Sequence, residues 1–197
     1  MNNNIETIVS AWNIPPGHGH RKFANYLVEK VNPRTTVDLG VDLGYSMFCF
    51  AEVGRGHVYG IDSFLGDANT GPRDTYNSVI RFKSENNFHN VTIIKGFFDN
   101  VAKTWTMPID ILHIDGLHTY EAVGNDFRTW TKFLTENGVV LMHDVCSFEG
   151  VKQFFNEINM PKLWFRESFG LGVTSQNVNL LENIKQNFPT ANFGNIT

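Results

Sequence analysis

Five short apolar runs, each followed by a turn and a helix-like stretch, constrain this chain more than any single motif. The runs begin near Thr35, His57 (HVYGID), Val91 (VTIIKG), Ile109 (IDILHID) and, after the Asn137-Gly138 turn, at NGVVLMHD. Before the first run, RKFANYLVEKVN places Ala24, Leu27, Val28 and Val31 at helical spacing. Between and after the runs, RDTYNSVIRFKSEN, DNVAKTW and EGVKQFFNEI read as helices. The clearest helix spans 119–134, with Val123, Phe127, Trp130 and Leu134 on one face. Strands alternating with helices imply an α/β fold: a mostly parallel twisted sheet with helices on both faces. KLWFRES and LGVTSQ read as a closing antiparallel hairpin, and residues 179–197 as a short helix and a tail.

The chain has 197 residues, enough for one domain with a full core. The expected division is an N-terminal helix and lid over 1–33, a core over 34–175 and a tail over 176–197. A net charge of −4 and a pI near 5.9 argue against a nucleic-acid partner, which calls for a basic surface. Cys49 and Cys146 stand far apart in no ligand-like spacing, so both are expected to be reduced. No run approaches a membrane span and no secretory leader is legible, so a cytoplasmic location is expected, with a homodimer compatible.

In a sheet of this kind, ligands bind beyond the carboxyl ends of the strands. Acids, glycines and histidines recur at those ends: DLGVDLG, then GIDSF, KGFF, IDGLHTY and MHD. Gly40 and Gly44 allow a tight turn and close approach of a ligand, and the helix that follows opens with Tyr45 and Ser46. Asp62, about twenty residues on, suits both hydroxyls of a ribose, with Ser63 beside it. Phe97, Phe98, Trp105 and Trp130 read mostly as core, with flanking an adenine as the other reading of Phe97. Asp38 and Asp42 near the glycine turn disfavour a pyrophosphate and suit a ligand carrying an amino group. Adenosine, amine and carboxylate together point to S-adenosylmethionine (SAM) rather than NAD. The plainer reading is a turn with Asp38 capping or solvating it.

VDLGVDLGYS, GIDSFLGD, LHIDGLHTYEAV with its following DF and W, and GVVLMHDV resemble, in this order and spacing, the class I methyltransferases. Within them the chain is similar to the small sugar O-methyltransferases related to macrocin and antibiotic-sugar enzymes, over residues 20–175. The resemblance implies a Rossmann-like fold, SAM as methyl donor and a sugar hydroxyl, in a glycan or activated sugar, as acceptor. It implies a divalent metal, Mg²⁺ or Mn²⁺, held by Asp115, His143 and Asp144. His143 stands where an acid is usual, which suits Mg²⁺ less well. It implies Asp115 in catalysis and at the cofactor. It leaves His118 as the base, since Leu117 stands where some members carry an acid. Asp62, Asp115 and Asp144 are then expected around one cleft.

Each of these residues also has a plainer role. Asp144 suits a helix cap near Ser147, His118 a cap for the helix after it, and His143 a core position. Other loops carry less: His18 and His20 lie in PPGHGHR, and Asp67 and Arg73 follow Asp62. Other functions remain open at this point. A phenolic or catechol-type acceptor is the alternative among O-methyltransferases. A base-methylating enzyme would carry an Asn/Asp-Pro-Pro-aromatic stretch where Asp115-Gly116-Leu117-His118 stands. An NAD(P) oxidoreductase lacks its third glycine here, and a non-catalytic SAM-binding scaffold remains.

Overall fold

The structure, a computed structural model, describes residues 5–10, 20–67 and 71–197. The chain divides into two compact units, residues 1–105 and 106–197.

The first unit begins with α1 (Glu6–Ser10) and α2 (Arg21–Val31). Ala24, Leu27 and Val28 are buried on α2 as the spacing predicts, joined by Phe23, while Val31 is half-buried. Asn32 ends it in the left-handed conformation, its N–H bonded to the Val28 carbonyl. Three parallel strands follow in register: β1 (Thr35–Leu39), β2 (His57–Asp62) and, beyond the short pair β3 (Gly66–Asp67) and β4 (Gly71–Pro72), β5 (Val91–Lys95). Between β1 and β2 lies α3 (Tyr45–Ala51), all seven of whose residues are buried. A helix apolar all round belongs inside a core. Phe48 of α3 meets the rings of Phe82 and Phe88, both 4.8 Å away between centroids. Phe82 comes from α4 (Tyr76–Glu85), and α5 (Phe98–Ala102) completes the unit.

The second unit pairs β6 (Ile109–Ile114) in parallel with β7 (Leu134–His143). Between them runs α6 (Tyr120–Trp130), followed by a 3₁₀ turn over 131–133. The helix therefore ends four residues short of its predicted Leu134. Leu134 instead pairs with Ile109, and the register then jumps to Ile111 with Val139, so that the Asn137-Gly138 turn is absorbed into the strand. After α7 (Glu149–Glu157), β8 (Lys162–Phe165) and β9 (Leu171–Ser175) form the predicted hairpin, with β9 also antiparallel to β7. The C-terminal stretch supplies α8 (Val178–Asn187) and a two-residue strand, β10 (Asn192–Phe193), antiparallel to β8. Strand order within this unit is β6-β7-β9-β8-β10.

Both cysteines are free, Cys49 buried and Cys146 half-buried. Among the described residues no helix is long and apolar enough to cross a membrane.

Candidate functional site

The glycine turn of the first unit is built as the sequence predicts. Gly40 and Gly44 have φ of 95° and 88°, a region costly to side chains. A Cβ on Gly44 would stand 2.6 Å from the Phe48 ring, so the position excludes one on two grounds. Asp42 also has positive φ, at 46°. Its N–H donates to Asp62 Oδ2 at 2.8 Å, while the Phe64 N–H donates to Asp62 Oδ1 at 2.6 Å. Two backbone donors thus fix the Asp62 carboxylate at the carboxyl end of β2. Ser63 Oγ accepts from the Leu65 N–H at 3.3 Å.

Asp42 pairs its carboxylate with the Arg73 guanidinium, and its carbonyl accepts from Thr75 Oγ1 at 2.6 Å. Asp38 is wholly buried, and Ser46 Oγ donates to its Oδ2 at 2.7 Å. Tyr45 and Ser46 are both buried within α3, and burial chiefly pushes the Tyr45 phenol well above its usual range. Of the aromatic residues expected in the core, Trp105 and Trp130 are buried, but Phe97, at the N-cap of α5, is 60% exposed. His20 flanks α2, its ring edge-on to Tyr45 at 5.8 Å. His18 and residues 68–70 of the loop after Asp62 lie outside the described residues.

In the second unit the ends of β6 and β7 bring four side chains together. His118 Nε2 lies 2.7 Å from Asp144 Oδ2 and 3.5 Å from Asp115 Oδ1. His143 Nδ1 lies 3.3 Å from Asp144 Oδ1 and 3.6 Å from Asp115 Oδ1. The plainer roles fall away for two of them. Thr119 caps α6, its Oγ1 accepting from the Ala122 N–H at 3.2 Å, so His118 is free of that task. Asp144 turns its carboxylate to the two imidazoles; only its carbonyl bonds the Ser147 N–H. Asp144 holds φ of 63°, an uncommon conformation for a residue with a side chain, and the kind of local strain that gathers at functional sites.

The electrostatics follow from that geometry. Burial alone would lower both imidazoles, but the two carboxylates outweigh it and raise His118 to about 9 and His143 to about 10. Burial would raise Asp115, yet His143 and then His118 hold it well below the usual carboxylate range. Asp144 is lowered for the same reasons, with His118 the foremost opposing partner. Sequence reasoning missed Phe148, whose ring lies flat on His118 at 4.3 Å and 12°. Its only signal is an aromatic four residues after Asp144.

Asp115, His118 and Asp144 each offer one donor atom, all within 4.8 Å of one another, which is a spacing a metal ion accepts. The expected set is Asp115, His143 and Asp144; the group at this spacing has His118 in place of His143. Two carboxylates and one imidazole fit a divalent ion that takes nitrogen as well as oxygen, Mn²⁺ better than Mg²⁺.

Comparison with known proteins places these elements in a wider frame. Residues 37–145, more than half the chain, match the family model described as a methyltransferase domain. An uncharacterized protein of Sinorhizobium fredii, y4gI, is 31% identical over 166 residues. That stretch is 78% of this chain but 18% of the relative, so the chain spans under a fifth of that protein's length. Among solved structures, an O-methyltransferase from Bacillus cereus in complex with S-adenosylhomocysteine (SAH) superposes with a TM-score of 0.67, at 15% identity over 89% of this chain and 91% of that one. The SAH-bound Podospora anserina methyltransferase PaMTH1 gives 0.68, at 12% identity over 89% and 88%. TomG of Streptomyces achromogenes, an O-methyltransferase involved in tomaymycin synthesis, gives 0.65, at 14% identity over 87% of each chain. The fold is therefore the α/β, Rossmann-like methyltransferase fold, with a mostly parallel sheet and a C-terminal antiparallel strand pair. Taken with the match across the glycine turn, Asp62, Asp115 and Asp144, this chain belongs to the methyltransferase domain family.

Proposed function

We propose that the chain is a SAM-dependent O-methyltransferase acting on a sugar hydroxyl, in a glycan or activated sugar, with a divalent ion assisting. The observation that carries this reading is the cluster in which His118 Nε2 lies 2.7 Å from Asp144 and 3.5 Å from Asp115. An alcohol is a poor nucleophile until its proton leaves, whereas a sulfonium methyl is already activated. The protein's task is therefore alignment and deprotonation.

The donor falls to the first unit. Gly40 and Gly44 let the backbone approach it, Asp62 accepts from its ribose hydroxyls, and exposed Phe97 offers a face to adenine. The acceptor falls to Asp115, His118, His143 and Asp144. His118 takes the hydroxyl proton when its imidazole is neutral, and Asp144, nearest to it, orients the imidazole. Asp115 and Asp144 with His143 would hold a divalent ion, whose contribution when bound is to lower the acceptor's pKa.

Leu117, 41% exposed and two residues past Asp115, favours a second reading in which the acceptor is a phenol or catechol. Labelled SAM offered with methyl glycosides and with catechol, with and without chelator, tests both. The proposal expects label on the glycosides, suppressed by chelator and restored by Mn²⁺. Transfer to catechol alone rejects the sugar acceptor, and full turnover in chelator rejects the ion.

A further inference from the structure

The connection between β8 and β9 spends conformational strain on an exposed aromatic ring. Phe165 pairs with Leu171, leaving residues 166–170 to make the turn. Three successive residues have positive φ: Ser168 at 54°, Phe169 at 67° and Gly170 at 95°. Two adjacent positive φ values at a hairpin tip normally select Asn, Asp or Gly. Here a serine and a phenylalanine occupy them.

The strained tip is held down at a particular place. The Phe169 carbonyl accepts from the Cys146 N–H at 3.1 Å and from Ser147 Oγ at 3.0 Å. A Cβ on Gly170 would stand 2.6 Å from Cys146 N, so the backbones are in close contact. The tip is thus clasped to the segment 144–148. That segment supplies Asp144 and Phe148, the latter stacked on His118. Leu171, two residues after Phe169, pairs with His143. While Phe165 and Leu171 on either side are buried, the Phe169 side chain is 56% exposed. The clasp uses only the Phe169 carbonyl, which any residue supplies. Turn geometry does not account for a phenyl ring there, and more than half of the residue's surface is open.

We infer that Phe169 is an acceptor-contacting, specificity-determining residue: its ring is a platform for the apolar face of a hydroxyl-bearing ring whose hydroxyl is delivered to the Asp115/His118/Asp144 cluster. The C–H face of a pyranose and the face of a phenol share this chemistry. The assignment rests on the methyl-transfer reading above.

Phe169→Asn tests it, because Asn tolerates the left-handed conformation. The melting temperature holds or rises by about 2–4 °C as strain is relieved, and SAM affinity by calorimetry is unchanged. The KM for the accepted ring, methyl glucoside or catechol, rises about 10-fold, and Phe169→Tyr restores it. Which probe suffers identifies the ring. An unchanged acceptor KM in Phe169→Asn overturns the assignment, as does a fall in melting temperature with a change in SAM affinity, which would mark a structural role. Wild-type protein that binds SAM yet methylates neither probe overturns the ring acceptor alone. Failure to bind SAM overturns the methyl-transfer reading and this assignment together.

Discussion

Asp62, at the carboxyl end of β2, is tied to the glycine turn through the Asp42 N–H. Its two backbone donors fix the carboxylate without entropy left to lose. Asp62→Ala removes the ribose acceptor and strands both N–H groups; SAM affinity by calorimetry should fall about 10- to 100-fold. His118→Ala should lower the turnover rate about 10²- to 10⁴-fold with SAM affinity unchanged; a wild-type rate would reassign the base. In chelator, the four-residue cluster also makes stability depend on pH. His118 and His143 are raised to about 9 and about 10, so their contribution is complete below their ordinary value near 6.5 and is lost as pH climbs through 9–10. Asp115 and Asp144 are lowered, so theirs is lost as acid protonates them below their ordinary value near 3.8. The melting temperature should therefore fall between about pH 7 and 10, and Asp144→Asn should flatten that slope. The acids and histidines of this cluster were legible because strand ends announce themselves in sequence. The pairing of Asp42 with Arg73 was not, since it joins residues 31 apart with no local pattern to signal it.

At the scale of elements, two ties hold helices in place. Lys162 Nζ donates to the carbonyls of Phe155, Asn156 and Ile158 at 2.9, 2.6 and 2.9 Å, closing the C-terminus of α7. Lys162→Met should destabilise by about 1–3 kcal/mol through stranded carbonyls, measured by denaturant titration. Arg21 grips Glu52 with two bonds of 2.6 Å and Glu6 with one of 2.9 Å, fastening α1 and α2 to the end of α3. Arg21→Ala leaves Glu52, 4% exposed, without its counter-ion, and should cost about 3–5 kcal/mol. The parallel strands and the hairpin were readable because apolar runs bounded by turn residues have few alternatives. The end of α6 was not: Leu134 lies four residues after Trp130, the spacing of a continuing helix face, and only its pairing with Ile109 draws it into β7. α1 and β10 are too short to leave a periodic trace, and β10 exists through its partner β8 alone.

For the molecule as a whole, strand order, the glycine turn and the acids at the strand ends identify the methyltransferase family, because those positions answer to a shared fold. The acceptor leaves no comparable mark in sequence, since it is chosen by loop residues such as Phe169 whose placement depends on contacts far along the chain. The account's central claim is that the glycine turn and Asp62 recognise SAM. Isothermal titration of the wild-type chain and of Asp62→Ala with SAM tests it most directly. The account predicts saturable one-to-one binding by the wild type and a 10- to 100-fold weaker affinity in the variant. No binding by the wild type, or equal affinity in the two, would contradict it.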